Sequence, residues 1–533
     1  MTVGPDRQRE QHAGTHAAQG RRSCSGSSRG DPDRNARPHT LGMMHRPCAA
    51  VAALACVVSV WVPGAPAAEP DTSALASDPA IQWEACNGDA ECAVLQVPLD
   101  YDVAGGRTIG IALVRYRALD PQRRIGSLLM NPGGPGASGV EYVLAAAGGL
   151  PARLQDRFDI IGFDPRGVGA SEGVDCLDDL GPYFDAEWAP DDEAERRDLE
   201  EEAQALAAAC EQSDGDILPF LRTELAARDM DRIREALGDE QLTYVGYSYG
   251  TYLGAWYADQ FPERVRALVL DAPIDPSLDA ITMQVQQAVG FEQVLDDFLQ
   301  FCAQQRSCPF HRGGRSASAY DRLRAEVGAT PLLVKVGGEP RDLNGSRFDL
   351  AVTQVLYEGT RGWGQLAGAL DAADRGDGSD LLFYADYYTG RIDDGEYEDG
   401  QESFLAIGCV DGPSVGGVDG MREIERSAEA AAPRLGRSIV NGSLVCAYWP
   451  IPPDPPRALT AEGAEPIIVL GARHDPATPF AWAKGLVAQL ESGVLVSVRG
   501  AHHASFDSGN ACVDRLVVRY LTRLESPQSG TRC

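Results

Sequence analysis

From residue 95 onward, short apolar or β-branched runs alternate with longer stretches of helical period, the signature of a mostly parallel sheet layered with helices. The runs at 109–116, 126–131, 158–163, 242–246, 267–270, 466–470 and 494–498 are read as strands. Between 186 and 237 lies an acidic, Ala-rich helical stretch whose charge run is most simply a solvated face. The sheet rhythm pauses after residue 276, and 277–405 reads as a mainly helical insertion carrying Trp363, Tyr384, Tyr387 and Tyr388. It resumes at Pro466. These patterns predict an α/β fold with helices on both faces of the sheet, divided into 69–276, an inserted cap at 277–405, and a second core part at 406–533.

The N-terminus follows a different pattern. Residues 1–42 are polar and lack apolar periodicity, which reads as an over-called leader. Met43-Met44-His45-Arg46 then leads into an apolar run ending in small residues at Ala67-Ala68, so 43–68 is expected to be a cleaved signal peptide. The run is short for a membrane span. Cys56 makes a poor lipoprotein anchor, because Ala53 stands where a leucine is expected and the apolar run continues past it.

Export changes how the cysteines are read. Of 13 cysteines, three (Cys24, Cys48 and Cys56) precede residue 69, which leaves ten. An even number in an exported chain implies disulfides. The economical pairing joins neighbours: Cys86–Cys92, Cys176–Cys210, Cys302–Cys308, Cys409–Cys446 and Cys512–Cys533. No Cys-x-x-Cys pair suggests a metal site. A net charge of −31 argues against nucleic acid, whose phosphates would be repelled.

The strongest chemical motif is Gly246-Tyr247-Ser248-Tyr249-Gly250, set between a strand and a small-residue helix. Such a turn exposes a serine hydroxyl as a nucleophile. A serine needs a base, and beyond residue 69 only His311, His474, His502 and His503 are available. The base follows the last strand in this fold, which points to the adjacent pair and, of the two, to His503. His311 lies beside Cys308 and is expected to be structural; His474 is expected at the surface or behind the site. Asp475, after the seventh strand, is the candidate acid, and Asp271 is its rival. Thr478 lies close enough to hydrogen-bond near the Asp475 turn. For the oxyanion, backbone amides are expected from Tyr249 and from Gly133 and Gly134 in Asn131-Pro132-Gly133-Gly134-Pro135-Gly136. No lysine accompanies that loop, so it is no P-loop. No cofactor or metal is called for.

Together these residues resemble the secreted tripeptidyl-aminopeptidase-like α/β hydrolases, relatives of the proline iminopeptidases. The resemblance runs from about residue 84 to Cys533. Its marks are the loop 131–136, Phe163-Asp164-Pro165-Arg166-Gly167, the serine motif through Thr251, Asp475-Pro476-Ala477-Thr478-Pro479, and Ala511-Cys512-Val513-Asp514. Family members show Gly-x-Gly-His at the base. Here Gly500-Ala501-His502-His503 departs at His502, and alignment on the motif selects His503. The resemblance implies a TAP-like C-terminal region and a cap that limits access. It also implies release of short peptides, tripeptides first, from substrates with a free N-terminus. Glu402 and Asp411 are candidates for holding the substrate ammonium. A secreted esterase with the same triad, and a non-catalytic binding protein on the scaffold, are the competing expectations.

Overall fold

The computed structural model describes residues 81–336, 339–392, 395–398 and 400–533. The expected leader and signal peptide lie outside the described residues. Within them, strands β1 (Glu84–Asn87), β2 (Ala90–Pro98), β3 (Thr108–Tyr116), β4 (Gly126–Asn131), β5 (Phe158–Phe163), β6 (Leu242–Tyr247) and β7 (Val265–Asp271) precede a long helical insertion. A hairpin, β8 (Leu332–Val336) and β9 (Glu339–Leu343), lies inside that insertion. Strands β10 (Ile467–Ala472), β11 (Gly493–Val498) and β12 (Thr531–Arg532) follow it.

The main sheet has the order β1-β2-β3-β5-β4-β6-β7-β10-β11-β12. It is antiparallel through β1, β2, β3 and β5 and parallel from β5 onward. Its central strands are buried on both faces. Leu128, Met130, Val245, Val269, Ile468 and Val496 face one core, and Leu129, Tyr244, Leu268, Ile467 and Val469 face the other. Adjacent residues thus point to opposite cores, which is why these strands read as continuous apolar runs. This is the expected α/β-hydrolase architecture.

The Phe163–Gly167 motif works as a structural clamp. Asp164 accepts from Ser138 Oγ (2.6 Å) and the Val140 amide (3.0 Å) at the start of the helix Gly139–Ala146. Arg166 is fully buried and pairs in a bidentate fork with Asp229, Nε to Oδ2 at 2.7 Å and Nη2 to Oδ1 at 2.6 Å. Its Nη1 donates to the Leu99 carbonyl (2.9 Å). Removing the guanidinium leaves a buried carboxylate unpaired, so Arg166→Ala is expected to destabilise the fold by about 3–5 kcal/mol. Urea unfolding checks this as a lower midpoint at unchanged slope.

The insertion opens with the helix Ala280–Gln304, capped by Asp279 accepting from the Thr282 amide (2.7 Å). Ala288, Phe291, Val294, Leu295, Phe298, Leu299 and Cys302 form its buried stripe at spacings of three and four. Gln287 of this helix donates to the Ala477 carbonyl (2.9 Å), which ties the insertion to the loop after β10. Helices continue past residue 405, through Gly400–Asp411, Gly417–Ala431 and Gly436–Asn441, before β10 resumes the sheet. All five neighbouring cysteine pairs are bonded as expected. Cys512–Cys533, with β12 paired onto β11, holds the C-terminal segment against the sheet. No helix among the described residues is long and apolar enough to cross a membrane.

Candidate active site

Ser248 sits between β6 and the helix Tyr249–Gln260 with φ 53° and ψ −122°. A non-glycine residue adopts such a backbone only where its surroundings enforce it. Its amide donates to the Asp271 carbonyl at the end of β7 (2.9 Å), and its carbonyl accepts from the Thr251 amide (2.9 Å). Gly246 and Gly250 allow the tight crossing, since a β-carbon at Gly246 would meet the Gly250 carbonyl oxygen at 2.3 Å. The half-buried serine lines two cavities.

His503 and Asp475 come together beside it. His503 Nδ1 is 2.9 Å from Asp475 Oδ1, and the carboxylate is buried. The same Oδ1 accepts from the Ala477 (3.0 Å) and Thr478 (2.9 Å) amides, so the acid's own loop fixes its orientation. Thr478 Oγ1 lies 3.5 Å from His503 Nδ1. His503 Nε2 is buried with no hydrogen-bond partner among the described residues, and the ring shares a cavity wall with Ser248. Burial pulls the His503 pKa down, but the Asp475 charge and hydrogen bond outweigh it, leaving the imidazole above its usual range.

The rival groups are otherwise engaged. Asp271 is buried, and its Oδ2 accepts from the Ser505 (2.8 Å) and Phe506 (2.7 Å) amides of the His503 loop. Burial raises its pKa to about 7. His502 faces a separate cavity with Arg361 and Asn510, and its Nε2 lies 3.1 Å from Ser505 Oγ. Burial lowers its pKa. His311 Nδ1 is 2.9 Å from the Cys302 carbonyl oxygen, and His474 meets Asp297 at the surface (3.0 Å).

Gly133 packs on the serine turn at φ 101°, where a β-carbon would lie 2.9 Å from Ser248 Cβ and 3.1 Å from the Tyr249 nitrogen. Only glycine admits this approach. Its amide, however, donates to Asn131 Oδ1 (3.0 Å). Of the two loop glycines expected as oxyanion donors, Gly133 is therefore already bonded, while Gly134 lines both cavities. Tyr249 is the first residue of its helix, where amides lack intrahelical acceptors.

The two carboxylates considered for the substrate ammonium both accept protein amides. Glu402 Oε1 accepts from the Cys176 (3.0 Å) and Leu177 (2.9 Å) amides. Asp411 accepts from the Thr223 amide (2.7 Å to Oδ2) and the Thr223 hydroxyl, and burial raises its pKa to about 7. Among the described residues, the acids that line a Ser248 cavity are Glu141 and Glu398. A contribution the sequence did not signal comes from Tyr357 in the insertion. Its carbonyl accepts from the His503 amide (3.1 Å), and its ring meets the imidazole edge-on at 5.4 Å between centroids.

Comparison with known proteins places this geometry in context. Residues 126–323 match the family described as alpha/beta hydrolase fold, and residues 432–533 match the family described as TAP-like protein. The chain is 35% identical over 480 residues to the serine protease Hip1 of Mycobacterium tuberculosis, covering 85% of this chain and 91% of that protein. It is 36% identical over 497 residues to carboxylesterase B of the same organism, covering 88% and 91%. To the tripeptidyl aminopeptidase of Streptomyces lividans it is 30% identical over 476 residues, covering 84% and 86%.

Proposed function

The chain belongs to the TAP-like α/β hydrolases, and from that premise we propose that it is an exported serine peptidase releasing short peptides, tripeptides first, from free N-termini through an acyl-enzyme. The observation that carries this reading is the constellation around one cavity: a serine on a strained turn, and a histidine whose far nitrogen is bonded to a buried carboxylate. Ser248 attacks the carbonyl carbon, and His503 Nε2 takes its proton. Asp475 holds the tautomer and stabilises the imidazolium. The Tyr249 and Gly134 amides receive the developing oxyanion. His503 then passes the proton to the leaving amine, and water, activated by the same imidazole, releases the acyl group. The helices between β7 and β10 act as the cap. The peptidase reading is supported by relatives that bear protease and aminopeptidase names, and export by five disulfides.

A second reading, hydrolysis of small esters, is favoured by one observation. Among the described residues, no charged side chain lines the more enclosed Ser248 cavity. Tripeptidyl anilides with free and with blocked N-termini, run beside simple esters, separate the two. Preference for the free amine supports the exopeptidase; equal cleavage of blocked anilides, or activity on esters alone, overturns it.

The pH profile gives an independent check. The base must be neutral, and His503 is held above its ordinary pKa of 6.5. Activity is therefore expected to rise with pH through an ionisation above 6.5 in kcat/KM, which reports the free enzyme. Asp475→Asn removes the group that raises the pKa, so the limb should move to lower pH. A wild-type limb below the ordinary histidine range would contradict the assignment.

A further inference from the structure

Ser248 opens on two cavities of different character. The more enclosed one, about 270 Å³, is walled by Tyr183, Phe184, Trp188, Ile439 and the helix Gly400–Asp411. Its aromatic wall is braced: Trp188 Nε1 donates to the Tyr183 carbonyl (3.0 Å), and Tyr183 Oη donates to the Gly442 carbonyl (3.1 Å). The other cavity, about 970 Å³ and more open, carries His503, Glu141 and Glu398. His503 is absent from the wall of the enclosed cavity. A base that collects the serine proton and delivers it to the leaving atom must face the leaving group. The leaving group therefore lies toward the open cavity, and the side chain next to the scissile carbonyl on the acyl side points into the enclosed one.

Five glycines line the enclosed cavity: Gly134, Gly408, Gly412, Gly417 and Gly442. Four have a structural reason to be glycine. Gly134 and Gly417 adopt positive φ, of 103° and 68°. A β-carbon at Gly412 would meet the Gly408 carbonyl oxygen at 2.5 Å, and one at Gly442 would meet the Trp188 ring at 3.0 Å. Gly408 has neither reason. It lies in the last turn of its helix without positive φ, and a β-carbon there meets nothing within 4 Å outside its own helix. Glycine inside a helix costs about 1 kcal/mol relative to alanine. Neither backbone conformation nor a close contact calls for it, whereas the cavity keeps the space.

Resting on the acyl-enzyme reading above, we propose that the enclosed cavity takes the side chain next to the scissile carbonyl on the acyl side and that Gly408 sets the size it admits. The substrates it fits carry a bulky apolar residue on the acyl side. A side chain at 408 fills the space that residue occupies.

The test compares Gly408→Leu and Gly408→Ala with the wild type. For each, the rate of Ser248 labelling is measured with fluorophosphonates bearing an ethyl or a branched, bulky alkyl group, alongside thermal melting. The ratio of bulky to ethyl rates is expected to fall at least tenfold in Gly408→Leu. It should fall in the same direction, by less, in Gly408→Ala, whose melting temperature should equal or exceed that of the wild type. A ratio unchanged in the folded variants, or both rates falling together, overturns the proposal. If Gly408→Leu does not fold, Gly408→Ala decides alone. Phosphonate labelling needs no peptide, so failure of the peptidase reading would appear as loss of anilide cleavage in the wild type and leave this ratio intact.

Discussion

Replacing Ser248 by alanine is expected to lower kcat by roughly 10⁵–10⁶-fold, and His503→Ala to lower it by a similar factor. The two effects should not add. A base with no hydroxyl to deprotonate contributes nothing, and a hydroxyl without its base is a weak nucleophile, so the double variant should match either single one. The geometry gives the comparison a sharp control. His502 is the neighbouring residue, yet it lines a different cavity and its Nε2 is placed against Ser505 Oγ. His502→Ala should therefore stay within a few-fold of wild type. Burst kinetics with an activated substrate, combined with fluorophosphonate labelling, check all four proteins. A His502→Ala enzyme as inactive as His503→Ala would move the base to the other ring.

What the sequence revealed, and what it did not, follows from where the physical signal lies. Central strands buried on both faces are largely apolar, so β4 and β5 were legible to the residue even with the buried Ser127, Asn131 and Asp159 in them. By contrast, β1 is exposed along its length and β2 is only partly buried, its short apolar run 92–95 including the exposed Val94, and neither was read as a strand. The hairpin β8–β9 was hidden in an otherwise helical stretch. Cysteine pairing was readable because every bridge joins neighbours in the chain. The positions of Ser248, Asp475 and His503 were readable because each follows a strand in a fixed order. The engagement of Glu402 and Asp411 was not, since their partners, Cys176, Leu177 and Thr223, belong to segments distant in sequence. Nor does any local pattern announce that Tyr357 receives the His503 amide. The capture of the Gly133 amide is different. An Asn two residues before a glycine is a recognisable side-chain turn, and that signal was present in Asn131-Pro132-Gly133.

The choice between two buried aspartates leads to the second large effect. Asp475→Asn keeps the size but removes the charge that stabilises the imidazolium. Because Oδ1 alone serves the Ala477 and Thr478 amides and the imidazole, an amide turned to donate to Nδ1 would have to give up both backbone amides. A loss of ~10⁴ in kcat is expected, with substrate binding little changed. Asp271 stands close enough to couple electrostatically to both residues. Its carboxylate nonetheless touches the Ser505 and Phe506 amides and not the imidazole. Asparagine at 271 still offers an oxygen to those two amides, and burial already favours the uncharged form of the acid. Asp271→Asn should thus retain activity within about tenfold of wild type, whereas Asp271→Ala, which leaves both amides without an acceptor, should lower stability by about 1–3 kcal/mol. Measuring kcat and the unfolding midpoint for all three variants separates orienting the base from holding its loop. If Asp271→Asn lost as much turnover as Asp475→Asn, the catalytic carboxylate would have to be assigned to the end of β7 instead.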